Sequence, residues 1–124
     1  AAFDQSVTYA KERKQFGKAI GSFQSMQHHC ANMVIDVDGA RLLTYAAAWK
    51  IAKNQPAALE AAMAKSWTST AARKVTSLAH QIHGAISFCD EHDLHLYYRK
   101  AKAGEVAFGD SNHHLDNIAG QLGL

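Results

Sequence analysis

The sequence predicts an all-α protein that folds as an up-and-down four-helix bundle with short corners. Apolar residues recur at spacings of three and four over long stretches, which is the period of a helix with a buried face. Only one proline occurs, and no stretch alternates apolar and polar residues for long enough to predict a useful strand. With 124 residues, of which 48% are hydrophobic, the chain can bury a core as a single domain, residues 1–124.

The first two helices are predicted from Ala2 to about Lys14 and from Ser22 to Asn54. Gly17 and Gly21 bracket the loop between them, and the Ser22 hydroxyl is a candidate N-cap. The second helix is apolar on more than one face, so we expect it to lie between neighbours. Its two apolar stripes comprise Phe23, Met26, Cys30, Met33, Val37, Arg41, Thr44, Ala48 and Ile51, and Val34, Leu42, Tyr45 and Trp49.

Pro56 is predicted to open a third helix that runs to His83, because proline fits the first turn of a helix. Gly84 ends it, since glycine readily adopts the left-handed conformation found after many helices. Trp49 and Trp67 are interpreted as core residues. The residues of this helix expected to face the core are Leu59, Met63, Trp67, Thr70, Val75, Leu78 and Ile82.

Two shorter helices complete the bundle. Asp90 is predicted to cap a fourth helix from about Glu91 to Ala107. Gly109 and Asp110 mark a break, and a last helix follows from about Ser111 to Gly120.

Composition narrows the classes of function. The formal net charge of +2, without any block of like charges, argues against nucleic-acid binding. No apolar run is long enough to span a membrane, and Cys30 and Cys89 stand alone, so a cytoplasmic location is expected. The chain opens with Ala-Ala-Phe-Asp rather than Met, and its first residues already have the pattern of a helix end. We therefore expect a fragment of a longer protein.

Eight histidines suggest a metal site at first inspection. His80 and His83, and likewise His92 and His95, are three residues apart, and Asp110 precedes a histidine by three residues. Carboxylate-bridged metal bundles require two Glu-x-x-His motifs, and this chain has none. Capping or surface roles are therefore predicted for the histidines, and no metal ligand is assigned.

Neither cysteine is predicted to be a nucleophile. Cys30 lies on the apolar stripe of the second helix, which suits a buried, inert thiol, and Cys89 has no evident His and acid partners. The basic segment 11–18 contains Arg13, whose guanidinium could bind a phosphate with two parallel hydrogen bonds. Taken alone, this segment is more typical of a solvated helix end.

Three sequence motifs, in a fixed order along the chain, give a more specific prediction of function. They are Tyr-Ala-Lys-Glu-Arg-Lys-Gln-Phe-Gly-Lys at 9–18, Gln-Ile-His-Gly-Ala-Ile-Ser-Phe at 81–88, and Glu-His-Asp-Leu-His-Leu-Tyr-Tyr-Arg-Lys-Ala-Lys at 91–102. Together with Gln24 early in the second helix, they resemble the C-terminal helical domain of flavin-dependent acyl-CoA dehydrogenases over nearly the whole chain. The motif Glu-His-Asp-Leu-His-Leu-Tyr is similar to a bacterial branch that includes dehydrogenases of steroid side chains and other bulky acyl-CoA thioesters.

The resemblance implies that this bundle follows a helical domain and a β domain, forms homo- or hetero-oligomers, and contacts FAD at the interface. It assigns Arg13 to the diphosphate of the partner subunit's FAD, with Phe16 and Gln24 beside it. It also assigns the corner from Gln81 to Gly84 to the adenosine half. The implied reaction is α,β-dehydrogenation of an acyl-CoA thioester, in which a carboxylate removes the α proton and a hydride passes to FAD.

The chain departs from this family at two places. The pattern Gly-Gly-x-Gly is Gly84-Ala85-Ile86-Ser87 here, which removes two permissive glycines. The position of a frequent catalytic Glu is Phe108, and Asp110 replaces a frequent Thr. Since a phenyl ring cannot accept a proton, no catalytic residue is assigned within this chain.

Three hypotheses follow. The first is the C-terminal domain of a FAD-dependent acyl-CoA dehydrogenase, inactive as a fragment, that supplies FAD contacts and the oligomer interface. The second is a non-catalytic helical oligomerisation or interaction module that has lost flavin binding, suggested by Ala85, Ser87, Phe108 and Asp110. The third, a metal-binding bundle, is disfavoured by its missing ligands.

Overall fold

The computed structural model describes residues 1–124 and confirms that the protein is all-α. Its helices are α1 (Ala2–Glu12), α2 (Gln24–Ala52), α3 (Ala58–His83), α4 (Leu94–Val106) and α5 (Ser111–Gln121). Short 3-10 helices occupy Ile20–Ser22 and Gly84–Phe88. The long helix α3 is the centre of the bundle, because it contacts each of the other four helices.

A small hairpin that the sequence did not predict follows α1. Strand β1 (Lys14–Gln15) pairs antiparallel with β2 (Lys18–Ala19), and Lys14 lies opposite Ala19. Helix α1 ends at Glu12 rather than near Lys14, because Arg13 is already extended with ψ of 124°. Alternating patterns could not reveal strands of two residues, since such strands are too short to display a period.

The two predicted N-caps are wrong. The Ser22 hydroxyl donates to the carbonyl of Ala19 at 2.7 Å and closes the first 3-10 turn instead of capping α2. Asp90 lies in a turn, and α4 begins only at Leu94. The predicted start of α3 is also early, because Pro56 lies two residues before the helix and not within its first turn.

The core lies where α1, α2, α3 and α4 converge. Met33 and Leu94 are fully buried, and burial of such side chains is worth about 1.5–3 kcal/mol each. The buried cluster consists of Ala10, Met33, Val75, Ala79, Ile82 and Leu94. Cys30 packs against this cluster, and burial raises the pKa of its thiol, which agrees with the predicted inert role.

The other end of the bundle leaves large apolar side chains exposed, and here the sequence prediction is wrong for several residues. Trp49 is 56% exposed and Trp67 is 44% exposed, although both were expected in the core. Also exposed are Leu42, Thr44, Tyr45, Ala48, Ile51, Met63 and Thr70. The reason is that this chain places no further layer against the outer face of α2. No helix has both the length and the apolarity needed to cross a membrane.

Candidate cofactor-binding surface

Arg13 lies at the junction of α1 and the hairpin with a fixed backbone and a free side chain. Its N–H donates to the carbonyl of Tyr9 at 2.8 Å, and its carbonyl accepts from the N–H of Ile20 at 2.8 Å. The side chain is exposed, and its guanidinium has no ion-pair partner within the chain. It can therefore present its parallel N–H donors to an external anion.

The hairpin turn displays an aromatic ring. Phe16 and Gly17 have φ of 53° and 78°, as the two central residues of a type I′ turn require. A left-handed conformation is unusual for a phenylalanine, and the Phe16 side chain is 92% exposed. A strained backbone conformation that carries an exposed aromatic side chain is a feature of segments that contact ligands.

The start of α2 lies behind this ring. Phe16 meets Phe23 edge to face with 6.2 Å between ring centroids, and the Lys18 ammonium lies 4.3 Å from the centroid of Phe23. Phe23 has no side-chain group that could cap α2, and Gln24, the first residue of the helix, is exposed. The positive end of the α2 dipole therefore adds to the basic hairpin.

The second candidate region is the corner after α3. Gly84 has φ of 68° and ψ of −147°, a conformation essentially limited to glycine. Its N–H donates to the carbonyl of His80, which closes the last turn of α3. Gln81 and Gly84 are both exposed at this corner, so the side-chain amide of Gln81 is accessible to a ligand.

His80 and Ser87 form a buried polar pair beneath the corner. His80 is 8% exposed and Ser87 is 0% exposed, and His80 Nδ1 lies 2.8 Å from Ser87 Oγ. Ser87 Oγ is also 2.7 Å from the carbonyl oxygen of Gly84. Burial lowers the pKa of His80, with smaller contributions in the same direction from His92 and His95. The imidazole is thus held in its neutral form near neutral pH.

His83 connects the corner to α1. Its ring stacks on Tyr9 with 4.3 Å between centroids, and its Nδ1–H donates to the carbonyl of Ala79 at 2.9 Å. Burial lowers the pKa of His83, and His92 and His80 lower it further, although the bond to Ala79 acts in the opposite direction. Tyr9 lies one helical turn before Arg13, so this contact joins the two candidate regions.

The loop between α4 and α5 holds no general base. Phe108 is 94% exposed with φ of 61°, and His114 Nε2 donates to its carbonyl at 2.9 Å. Asp110 caps α5, because its Oδ1 accepts from the N–H of His113 at 2.9 Å. The one carboxylate of this loop is thus engaged in holding the helix end.

The predicted site residues fall into two groups. Arg13, Phe16 and Gln24 surround the hairpin, whereas Gln81 and Gly84 lie at the corner after α3. All five are exposed. The link between the groups, made by Tyr9 and His83, was not predicted.

The prediction of surface or capping roles is wrong for two histidines. His80 and His83 are buried on the inner face of α3, in line with Thr76 at the spacing i, i+4, i+7. That spacing was the available signal in the sequence. Nowhere in the chain do three or more His, Cys, Asp or Glu side chains form a group that could hold a metal ion.

The chain is similar to known proteins over nearly its whole length. The family model described as "Acyl-CoA dehydrogenase, C-terminal domain" matches residues 1–123. The short/branched chain specific acyl-CoA dehydrogenase from mitochondria of Bos taurus is 39% identical over 117 residues, covering 94% of this chain and 27% of that protein. The structure of butyryl-CoA dehydrogenase from Megasphaera elsdenii is 34% identical with a TM-score of 0.95, and the match covers 99% of this chain and 32% of that one.

A structure described as the FAD complex of PigA is 32% identical with a TM-score of 0.95, over 99% of this chain and 32% of that one. The chain therefore spans about a third of the length of the proteins it matches.

Proposed function

The chain belongs to the acyl-CoA dehydrogenase family as its C-terminal domain, and we propose that it supplies FAD contacts and the oligomer interface of a flavin-dependent acyl-CoA dehydrogenase. In this proposal it follows other domains in a longer subunit, and the complete protein acts on an acyl-CoA thioester. The proposal places that enzyme in the cytoplasm, within the bacterial branch marked by the motif at 91–97.

The observation that carries the proposal is that the Arg13 guanidinium, which has no ion-pair partner in the chain, and the Phe16 ring are both exposed at the same hairpin. A planar guanidinium fork suits a diphosphate, and an aromatic ring suits the flat parts of a dinucleotide. The uncapped start of α2 adds favourable dipole charge for an anion. These donors fit FAD, which when bound accepts the hydride released from the β carbon of the acyl group.

In the proposed complex, Arg13 binds the diphosphate, Phe16 and Gln24 lie beside it, and the Gln81–Gly84 corner meets the adenosine half. The contact between Tyr9 and His83 supports this arrangement, because it keeps the hairpin and the corner in a fixed relation. The α proton is removed by a group outside this chain, since Phe108 cannot accept a proton.

The oligomer interface is proposed at the exposed end of the bundle. Leu42, Tyr45 and Trp49 are spaced along one face of α2, and each is more than half exposed. A cavity of about 430 Å³ also opens between α2, α3 and α5, and its apolar lining includes Met63 and Trp67. Apolar surface of this extent is typical of an interface, here with an identical or a related subunit.

The matched variants Arg13→Ala and Lys14→Ala test the FAD contact in the complete protein. Both remove one exposed positive charge from neighbouring positions. Arg13→Ala is expected to lose a charge-assisted pair worth about 1.5–3 kcal/mol, which is about a tenfold to hundredfold rise in the FAD dissociation constant. Lys14→Ala is expected to change it by less than about threefold, because a solvated cation contributes little.

The dissociation constants are measured by titrating apoprotein with FAD and following flavin fluorescence. Equal losses in the two variants, or no loss in Arg13→Ala, would remove Arg13 from the site. Failure of the wild-type protein to bind FAD at all would favour the second function, a helical oligomerisation module without flavin. That alternative is motivated by Ala85, Ser87, Phe108 and Asp110, which replace residues expected in a flavin-binding member.

A further inference from the structure

The His80–Ser87 pair lies outside the five proposed FAD contacts, yet it is the most buried polar arrangement near them. Ser87 is 0% exposed in the 3-10 helix of the corner, and His80 is 8% exposed in the last turn of α3. Buried polar side chains that are fully hydrogen-bonded fix local geometry, because any rearrangement leaves a donor or an acceptor without a partner.

The positions of the hydrogens follow from the distances. Ser87 Oγ lies 2.7 Å from the carbonyl oxygen of Gly84, and only the serine hydroxyl can supply the hydrogen between these two oxygens. The 2.8 Å contact between His80 Nδ1 and Ser87 Oγ therefore needs its hydrogen from the imidazole. His80 carries its proton on Nδ1, and the chain of donation runs from His80 to Ser87 to Gly84. A longer approach of Ser87 Oγ to the carbonyl of His80, at 3.4 Å, is secondary.

Aromatic neighbours keep the imidazole in place. The ring of His80 stacks on Phe88 with 4.6 Å between centroids and an interplanar angle of 20°. The ring of Tyr98 meets it edge-on at 5.5 Å. The imidazole is therefore confined on a face and an edge, which fixes the plane of its ring, and the bond to Ser87 selects the edge that carries Nδ1.

The hydrogen bond to Gly84 sets the orientation of one peptide group. Because a trans peptide is planar, the N–H of Ala85 points opposite to the carbonyl of Gly84. The carbonyl is turned towards buried Ser87, so the N–H of Ala85 is turned away from it. Ala85 itself is exposed, on the same corner as Gln81 and Gly84.

We propose that His80 and Ser87 are positioning residues of the cofactor corner: their hydrogen bonds fix the Gly84–Ala85 peptide so that its N–H faces the bound FAD. This inference rests on the proposed function of the corner. In this chain, a side-chain hydroxyl beneath the corner provides the local order that orients a backbone donor towards the ligand. Neither side chain contacts FAD itself.

The test uses the complete protein with the variants Ser87→Ala, His80→Leu and the double variant. Ser87→Ala removes the donation to Gly84, and His80→Leu removes the bond that holds the Ser87 hydroxyl in position, so each is expected to weaken FAD binding about tenfold. The double variant is expected to lose about tenfold as well, rather than hundredfold, because the second change removes a link that is already broken. FAD affinity is measured by fluorescence titration, and thermal unfolding of each apoprotein is measured in parallel.

His80→Asn is the conservative variant that separates positioning from packing. Asparagine and leucine have similar size and both remove the imidazole ring, but only asparagine keeps an N–H donor near the position of Nδ1. His80→Asn is expected to bind FAD within about threefold of the wild type, whereas His80→Leu is not. The comparison of these two His80 variants separates a positioning role from a packing role even if Ser87→Ala does not fold. Ser77→Ala, at an exposed serine of α3, is the control and is expected to leave affinity unchanged.

Four results would overturn the inference. Equal FAD affinities of His80→Asn and His80→Leu would show that an N–H donor at position 80 makes no contribution to FAD binding. A loss of FAD affinity of about hundredfold in the double variant would show that the two residues act independently. Unchanged FAD affinity in Ser87→Ala, with a wild-type protein that binds FAD, would refute the positioning role and leave the proposed function standing. A wild-type protein that binds no FAD refutes both.

Discussion

The backbone at Gly84 permits a sharp test of why the corner after α3 requires glycine. A Cβ built at Gly84 would have no atom within 4 Å, and the same holds at Gly104, in the last turns of α4. Alanine therefore meets no steric obstacle at either position. The two positions differ in backbone conformation, since Gly84 has φ of 68° and ψ of −147° whereas Gly104 is helical.

Opposite effects on stability are expected. Gly84→Ala places a Cβ in a conformation that costs non-glycine residues about 1–3 kcal/mol. Gly104→Ala should stabilise the fold by up to about 1 kcal/mol, because alanine loses less entropy in a helix. For a chain of this length, 1 kcal/mol corresponds to a shift in unfolding temperature of about 4 °C. Gly84→Ala should therefore lower the midpoint by about 4–12 °C, and Gly104→Ala should raise it by up to about 4 °C.

Thermal unfolding of residues 1–124, followed by far-ultraviolet circular dichroism at low concentration, measures both shifts. A Gly84→Ala protein as stable as the wild type would refute the assignment of strain to this backbone. Shifts of the same sign in both variants would mean that a general effect of adding a methyl group dominates over conformation. In either case, the argument that glycine is required at this corner would fail.

Further outcomes are expected for the same chain. In the folded protein the pKa values of His80 and His83 lie below the ordinary 6.5, so the unfolded state binds more protons. The contribution of these residues to stability should be complete above about pH 6.5 and should be lost as the pH falls through their folded pKa values. Urea midpoints at pH 7.5 and 5.5 measure this loss, and equal midpoints would contradict it. The isolated chain should associate in sedimentation experiments, because it exposes a large apolar surface. The double variant Tyr45→Lys and Trp49→Lys should shift this equilibrium towards the monomer. A wild-type chain that stays monomeric at high concentration would count against the interface. It should also show no dehydrogenase turnover with an acyl-CoA and an electron acceptor, since Phe108 cannot act as a base; measurable reduction of the acceptor would overturn this.

Helix existence was predictable because it depends on short-range information. The spacing of apolar residues and the single proline correctly indicated long helices in the middle of the chain, and Gly84 correctly marked the end of α3. Caps were less predictable. Ser22 and Asp90 have suitable side chains, but such a side chain caps a helix only if the surrounding chain brings the free N–H groups of that helix within reach. The Ser22 hydroxyl instead donates to the carbonyl of Ala19.

The candidate site was predictable only in part. Arg13 and Gly84 lie in recognisable motifs, so their positions could be named from the sequence, although their roles toward FAD stay predictions. The His80–Ser87 pair could not be foreseen, because its members are seven positions apart in the sequence and the 3-10 turn that joins them depends on packing against α4.

The sequence by itself determined the helical class, the approximate limits of the long helices and the family, because periodicity and motifs are properties of neighbouring residues. Tertiary structure alone decided which apolar faces are covered. Trp49 and Met33 both lie on the apolar stripes of α2, yet Trp49 is 56% exposed and Met33 is fully buried. The reason is physical: α1, α3 and α4 converge around Met33, and no element of this chain reaches the outer face of α2 at Trp49.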